Sequence, residues 1–210
     1  MASKRVAVIG ASGYGGLQTL RLLQGHPGLE VSFLGGERSS GKRWSELTPF
    51  LPLPGDPVVQ APDPDAIAAA ADLAVLSLPN GLASRLVPPL LERGVKVVDL
   101  SADYRYGSLQ QWREVYASEA RDFPRSDDAL CAEAVYGLVE WEQERIAAAR
   151  LVAAPGCFPT ASLLALTPLL KQGLIETAGI VIDAKTGTSG GGRAAKEHLL
   201  LAEASEGVAP

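Results

Sequence analysis

Lys4-Arg5-Val6-Ala7-Val8-Ile9-Gly10-Ala11-Ser12-Gly13-Tyr14-Gly15-Gly16 decides the fold. Its first half, Lys4 to Ile9, is a short apolar run rich in valine and isoleucine and closed by glycine, the pattern of a strand buried on both faces. The segment from Gly13 to Gln24 then carries Leu17, Leu20, Leu22 and Leu23 at helical spacing. Between strand and helix, a missing Cβ lets the backbone turn tightly and approach a ligand closely. The helix N-terminus offers free N–H groups and the positive end of its dipole to a pyrophosphate. The G-x-x-G-x-x-G spacing is a weak signal alone; its place after the first strand gives it weight. The competing reading is a glycine-rich turn without a ligand.

The same alternation continues outward. Gly25-His26-Pro27-Gly28 stops the first helix. Leu29 to Leu34, Asp72 to Leu78, Val95 to Leu100, Arg150 to Ala154 and Gly179 to Ala184 read as further strands. Helices are expected over Trp44 to Leu47, Pro64 to Ala70, Leu82 to Arg93 (bent near Pro88-Pro89), Ser108 to Ala117, Glu140 to Ala149, Pro159 to Lys171 and Arg193 to Glu203. Asp122 to Tyr136 has no clear period. Strands separated by helices of this length mean parallel βαβ units. The expected fold class is α/β: a Rossmann-type NADP-binding domain with a parallel sheet over residues 1–155. Residues 156–210 follow, too short for a second comparable core; that they start an α+β catalytic and dimerisation domain is implied by the family that the chain's motifs resemble.

Composition narrows the function. Of 210 residues, 47% are hydrophobic and 20% charged, the balance of a globular protein rather than a disordered one. Nineteen basic against 24 acidic side chains leave a net charge of -5, which argues against a nucleic-acid partner. Two cysteines exclude a disulfide framework and any multi-thiolate metal site. No stretch approaches the roughly 20 apolar residues that cross a bilayer, and no signal-peptide core precedes the first strand. The expectation is a cytoplasmic protein without membrane or metal.

Four other motifs carry chemistry. Glu37-Arg38-Ser39-Ser40 follows the second strand, where a dinucleotide site reads the adenosine ribose. Glu37 favours a free 2′-hydroxyl; Arg38 with its serines favours a 2′-phosphate, since guanidinium pairs with phosphate in a bidentate way. The balance tips to NADP, against the reading of a solvated loop. Ala154-Pro155-Gly156-Cys157-Phe158-Pro159-Thr160 sets a cysteine at a strand-to-helix junction, where the helix dipole stabilises a thiolate. A lone cysteine is more often a packing residue; the end of a strand favours function here, while Cys131 reads as packing. Asp99-Leu100-Ser101-Ala102-Asp103-Tyr104-Arg105 ends the fourth strand. Arg105 either grips an anion or pairs with Asp103, and the two readings are even. Lys185 to Arg193 is a second glycine-rich loop, an anion nest or a plain connector.

Taken together, G-A-S-G-Y-G-G, D-L-S-A-D-Y-R, V-Y-G-L, A-P-G-C-F-P-T-A and K-T-G-T-S-G-G-G-R make the chain resemble the N-acetyl-gamma-glutamyl-phosphate reductase family of arginine biosynthesis. The runs cover nearly the whole chain in the family's order, and the cysteine block is the most specific. The resemblance implies NADPH-dependent reduction of N-acetyl-L-glutamyl 5-phosphate to the 5-semialdehyde through a cysteine thioester. It implies Gly10, Ser12, Gly13, Tyr14, Gly15 and Gly16 at the pyrophosphate, Arg38 and Ser39 at the 2′-phosphate, and Pro79 and Asn80 beside the cofactor. Ser189, Gly190 and Gly191 fall on the nicotinamide side, Ser101 and Arg105 at the substrate, and Cys157 is the nucleophile. It implies a small acyl-phosphate substrate and a homo-oligomer at full length. Reductases of carrier-bound aminoadipyl phosphate or aspartyl phosphate are the neighbouring readings, and a non-enzymatic NADP-binding fragment is a third. Two departures stand out. Val139 replaces a family proline, and the family's H-R-H block with its catalytic histidine is expected beyond Pro210, as in a chain resembling the first three-fifths of a member. His26 and His198 read as ordinary residues.

Overall fold

Four consecutive apolar residues in a strand need cover on both faces, and Val6 to Ile9 of the first strand get it. The structure, a computed structural model, describes residues 3–116 and 127–193. Strand β1 (Lys4–Ile9) sends Val6 and Val8 to one side and Ala7 and Ile9 to the other. Val6 and Val8 share a core with Leu17 and Leu20 of helix α1 (Tyr14–Leu23) and with Trp44, Leu51 and Val59. Ala7 and Ile9 share the opposite core with Ile67 of α3 (Pro64–Ala70) and with Val87 and Leu90 of α4 (Ala83–Glu92). The result is helices on both faces of a parallel sheet, the doubly wound arrangement.

Among the described residues the sheet has six strands in the order β2-β1-β3-β4-β6-β5, each pair parallel. They are β2 (Leu29–Gly35), β3 (Leu73–Leu76), β4 (Lys96–Asp99), β5 (Val135–Tyr136) and β6 (Leu151–Ala153) beside β1. The chain runs from β1 to β2 on one side and returns to β3 on the other. This opens a crevice at the carboxyl ends of β1 and β3, the place where doubly wound folds bind ligands. The other helices are α2 (Trp44–Leu47), α5 (Leu109–Tyr116), α6 (Asp128–Glu133), α7 (Val139–Ala148) and α8 (Cys157–Lys171).

Local chemistry explains the well-placed elements. Asp63 accepts from the Ala66 amide at 2.8 Å and Pro64 opens α3, an N-cap followed by proline at the first helical position. Trp44 is fully buried and its indole N–H donates to the Leu51 carbonyl at 2.6 Å, which pins the proline-rich stretch after β2 onto the core.

Four expectations need correction. Helix α4 runs unbroken through Pro88 and Pro89, which forfeit two amide donors while Val87, Leu90 and Leu91 stay buried against the sheet. The stretch without a period contains α6 and the two-residue β5, both too short to show one. Helix α8 begins at Cys157 rather than Pro159. Gly179 to Ala184 is not a strand: none of its residues joins a ladder, and Val181 is 90% exposed. An apolar β-branched run is a strand only with a neighbour to bond. The helix expected over Arg193 to Glu203 lies outside the described residues beyond its first residue, as does His198.

Candidate active site

The site assembles at the carboxyl edge of β1, β3, β4 and β6. Gly10 ends β1 with φ +78, a left-handed conformation suited to glycine, and a Cβ there would sit 2.0 Å from the Ser77 carbonyl oxygen. A Cβ on Gly16 would lie 2.3 Å from the Gly10 oxygen, and one on Gly15 would lie 2.5 Å from Ser77 Oγ. Gly10 and Gly16, which meet backbone, are therefore demanded by the protein's own packing, whereas Gly15 meets a hydroxyl that can rotate. Gly13 differs. It caps α1, its φ is negative, and only the Gly10 oxygen lies near its missing Cβ, at 3.3 Å. Space at Gly13 and the first-turn amides of α1 form a cradle that fits a dinucleotide pyrophosphate.

The adenosine end is more open. Glu37–Ser39 form a 3-10 turn after β2, with Arg38 exposed and Ser39 buried. The Ser39 hydroxyl lies 3.5 Å from the Gly36 carbonyl oxygen, so its side chain supports the turn while Arg38 faces outward. Tyr14 is 43% exposed at the start of α1.

At the ends of β3 and β4 the loops are tied together. The Asn80 side-chain oxygen accepts from the Ala102 amide at 2.9 Å. The Asp103 carboxylate accepts from the Gly81 amide at 2.5 Å and the Ser84 amide at 3.1 Å. Asp99 is fully buried and accepts from the Ser101 amide at 2.9 Å and the Ser101 hydroxyl at 2.8 Å. Burial pushes the Asp99 carboxyl up to about 6, helped by the charge of Asp103 and opposed by the Ser101 hydrogen bonds and by Arg105. Ser101, expected at the substrate, is itself buried, and its hydroxyl also accepts from the Asp103 amide at 3.2 Å. It braces the loop instead of facing open space.

Two nitrogens of Arg105 bind backbone carbonyls. Its Nε donates to the Ala154 carbonyl at 2.8 Å and its Nη2 to the Leu100 carbonyl at 3.0 Å. These bonds carry the guanidinium across to the end of β6, where Nη1 lies 3.3 Å from the place a Gly156 Cβ would occupy. Glycine at 156 thus admits the guanidinium beside the N-cap of α8. Burial raises the Tyr136 hydroxyl's pKa, against the influence of Arg105, which sits close enough to oppose it.

Cys157 is the first residue of α8, exposed, with Gly156 as N-cap. Thr160 returns both its amide (3.0 Å) and its hydroxyl (2.9 Å) to the Gly156 carbonyl, which fixes the first turn. A cavity of about 510 Å³ opens beside the cysteine, between that turn and residues 182–187. Ser162, Asp183 and Lys185 line it, and Lys185 pairs with Asp183 at 2.6 Å. None of the three was singled out from sequence as a site residue; Asp183 and Lys185 lie on an unpaired segment without a periodic signature, and Ser162 lies on α8. Cys131 is buried, in the packing role expected of it.

The second glycine-rich loop forms a 3-10 turn over Thr188–Gly191, with Ser189, Gly190 and Gly191 exposed or half-buried. It is joined to the first loop by Arg193, whose Nη1 donates to the Ser12 carbonyl at 2.8 Å. Sequence reading had Arg193 only as the end of a motif; a guanidinium closing a glycine-rich loop was the available signal. Pro79 is exposed beside Asn80. Structure thus gathers the expected residues into two groups. Gly10 to Gly16 and residues 189–191 meet through Arg193, and Asn80, Ser101, Arg105 and Cys157 line the lacing from β3 to β6.

Comparison with known proteins agrees with this architecture. Residues 5–149 match the semialdehyde dehydrogenase NAD-binding domain, and residues 157–210 match the semialdehyde dehydrogenase dimerisation domain. A protein named N-acetyl-gamma-glutamyl-phosphate reductase from Synechococcus sp. (strain CC9605) is 73% identical over 98% of this chain and 58% of its own length. One of the same name from Prochlorococcus marinus (strain MIT 9313) is 70% identical over the same shares. The chain spans about three-fifths of the length of these relatives. Among solved structures, aspartate semialdehyde dehydrogenase II from Vibrio cholerae, complexed with ASA, superposes with TM-score 0.55 at 23% identity, covering 80% of this chain and 47% of that one. The Candida albicans aspartate semialdehyde dehydrogenase with NADP gives 0.55 at 22%, covering 81% and 48%. At these identities the superpositions speak for the fold.

Proposed function

The chain belongs to the semialdehyde dehydrogenase family, and from that premise we propose that it carries the dinucleotide site and nucleophile of an N-acetyl-gamma-glutamyl-phosphate reductase. The reaction is NADPH-dependent reduction of N-acetyl-L-glutamyl 5-phosphate to the 5-semialdehyde and phosphate, in a cytoplasmic homo-oligomer. The observation that carries the reading is Cys157, exposed at the first turn of α8 with the Arg105 guanidinium held beside its N-cap. The relatives' names supply the acyl group. On this reading the dinucleotide-binding domain ends near residue 155 and the catalytic domain begins at 156.

The residues divide the work. Cys157, exposed at the first turn of α8, attacks the acyl carbon through its sulfur. The C–O bond to phosphate breaks, and phosphate leaves with the bonding electrons. Arg105 Nη1 and the first-turn amides of α8 hold the departing anion, a preorganised stabilisation of developing charge. A thioester remains on Cys157. The first-turn amides of α1 and the space at Gly13 hold the pyrophosphate, Arg38 with Ser39 reads the 2′-phosphate, and Pro79, Asn80 and the turn over 189–191 flank the nicotinamide. When bound, the cofactor supplies the hydride. The C–S bond then breaks, and Cys157 departs with the bonding electrons while the aldehyde carbonyl forms.

The test is the reverse reaction on the 210-residue chain. N-Acetylglutamate 5-semialdehyde, NADP⁺ and inorganic phosphate are mixed, and NADPH absorbance is followed beside a Cys157→Ser control. Any phosphate-dependent NADPH formation is expected to vanish in the control. Signal that survives Cys157→Ser overturns the thioester route, and failure to bind NADP⁺ in a separate titration overturns the cofactor assignment.

A further inference from the structure

We propose that Asp103 and Asn80 are positioning residues that lace the cofactor edge to the cysteine edge, so that a bound dinucleotide is registered against Cys157. The inference rests on the preceding reading of residues 79–80 as cofactor-flanking and of Cys157 as nucleophile.

The lacing is reciprocal. Asn80, on the loop after β3, accepts from Ala102 on the loop after β4. Asp103, on the loop after β4, accepts from Gly81 on the loop after β3 and from Ser84 in the first turn of α4. Bonds running both ways fix the two loops against sliding and against separation. Two residues past Asp103, Arg105 continues the lacing to Ala154 at the end of β6, next to the turn that bears Cys157. Three adjacent strand ends, β3, β4 and β6, are thereby held in one register.

Simple capping does not account for this arrangement. The N-cap of α4 is Leu82, whose side chain makes no cap hydrogen bond. A serine, threonine or aspartate at position 82 would satisfy the first-turn amides locally. Asp103 instead does so from 19 and 22 residues away, as a carboxylate with no exposed surface. Burying a carboxylate is unfavourable unless its hydrogen bonds are complete. What the distant carboxylate adds over a local cap is a fixed spacing between the loops.

The experiment measures iodoacetamide alkylation of Cys157 by peptide mass spectrometry, without and with saturating NADP⁺. In the wild-type chain, NADP⁺ is expected to slow alkylation about fivefold or more. Asp103→Asn turns an amide donor toward one of the two amides it should accept from, and Asn80→Ala leaves the Ala102 amide without its acceptor. In each variant, folded by far-UV circular dichroism and saturated with NADP⁺, the slowing is expected to fall below about twofold. Asn80→Asp keeps the acceptor and is expected to restore it. A folded, saturated variant of either position that protects Cys157 as well as wild type overturns the inference while leaving the proposed function intact. Should Asp103→Asn fail to fold, Asn80→Ala decides alone. A wild-type chain that binds NADP⁺ yet shows no protection overturns the reading of cofactor and cysteine as neighbours, and the inference with it.

Discussion

The carboxyl edge of the sheet and the helix that leaves it are built from similar amounts of apolar sequence and end in opposite conditions. Leu20, Leu76, Leu90 and Leu151 are fully buried beneath the edge. Helix α8 is leucine-rich on every side, yet none of its described residues is buried, and Leu163 and Leu169 stand 37% and 39% exposed. A helix apolar all round has the composition of a buried one. Composition therefore tells which surfaces favour cover, while only the fold tells which surfaces have it. The comparison also separates two kinds of site residue. Asp99, Ser101 and Asp103 act from inside the packed edge, and Cys157 acts from the uncovered helix.

Removing a side chain from the covered region gives the largest effect. Trp44→Ala deletes a fully buried indole and its bond to Leu51. A loss of about 3–5 kcal/mol is expected in urea unfolding, from lost burial plus the cavity left behind. A loss near zero would mean that the proline-rich stretch after β2 is not seated on the core.

The buried carboxylate sharpens the comparison by pH. Asp99 has its folded value raised to about 6 from 3.8. Between those values the folded state binds more protons than the unfolded, so stability falls as pH rises from about 4 to about 6. Below 4 the group is protonated in both states and contributes no penalty. The stability of Asp99→Asn minus that of wild type should therefore grow by about 3 kcal/mol across that window. Urea unfolding of both chains at pH 4 and pH 7 measures it, and equal differences at the two values would place Asp99 in contact with water.

Next in size is a binding effect at Gly13, where a Cβ meets only the Gly10 carbonyl oxygen, at 3.3 Å. Gly13→Ala should leave the unfolding midpoint unchanged and weaken NADP⁺ about tenfold, near 1.4 kcal/mol. Gly10→Ala, by contrast, should destabilise the fold itself, because its Cβ would strike the Ser77 carbonyl. Titration calorimetry beside thermal unfolding separates the two, and a Gly13→Ala that binds as wild type would remove the pyrophosphate from that cradle.

These contrasts show what the amino-acid sequence could carry. The apolar cores of β1 and β3 were legible because a run buried on both faces is continuously apolar, and the first glycine-rich turn was legible from its place between β1 and α1. Gly179 to Ala184 has the same apolar character and is no strand, because pairing depends on a neighbour that the run itself does not encode. A cysteine at a strand-to-helix junction was legible, and the structure has Cys157 there, exposed. The partners of Arg105 were not: a side chain that bonds the backbone carbonyls of Leu100 and Ala154 leaves no complementary residue type to recognise. Asp103 and Gly81 are separated by 22 positions, with no periodicity to relate them.

The smallest expected effect bears most directly on the uncovered helix. Leu163→Ala in α8 removes the same atoms as Leu20→Ala in α1, and the two differ only in surroundings. Leu20 is fully buried and its truncation should cost about 2–5 kcal/mol. Leu163 already meets solvent, so its truncation should stay within about 0.5 kcal/mol. Urea unfolding of the two variants at several protein concentrations is the measurement. If Leu163→Ala costs as much as Leu20→Ala at every concentration, α8 is packed within the chain itself. If its cost grows with concentration, a second copy covers the helix, because association adds to apparent stability by mass action. A small, concentration-independent cost leaves α8 as it stands here, an apolar helix that positions Cys157 through its first turn alone.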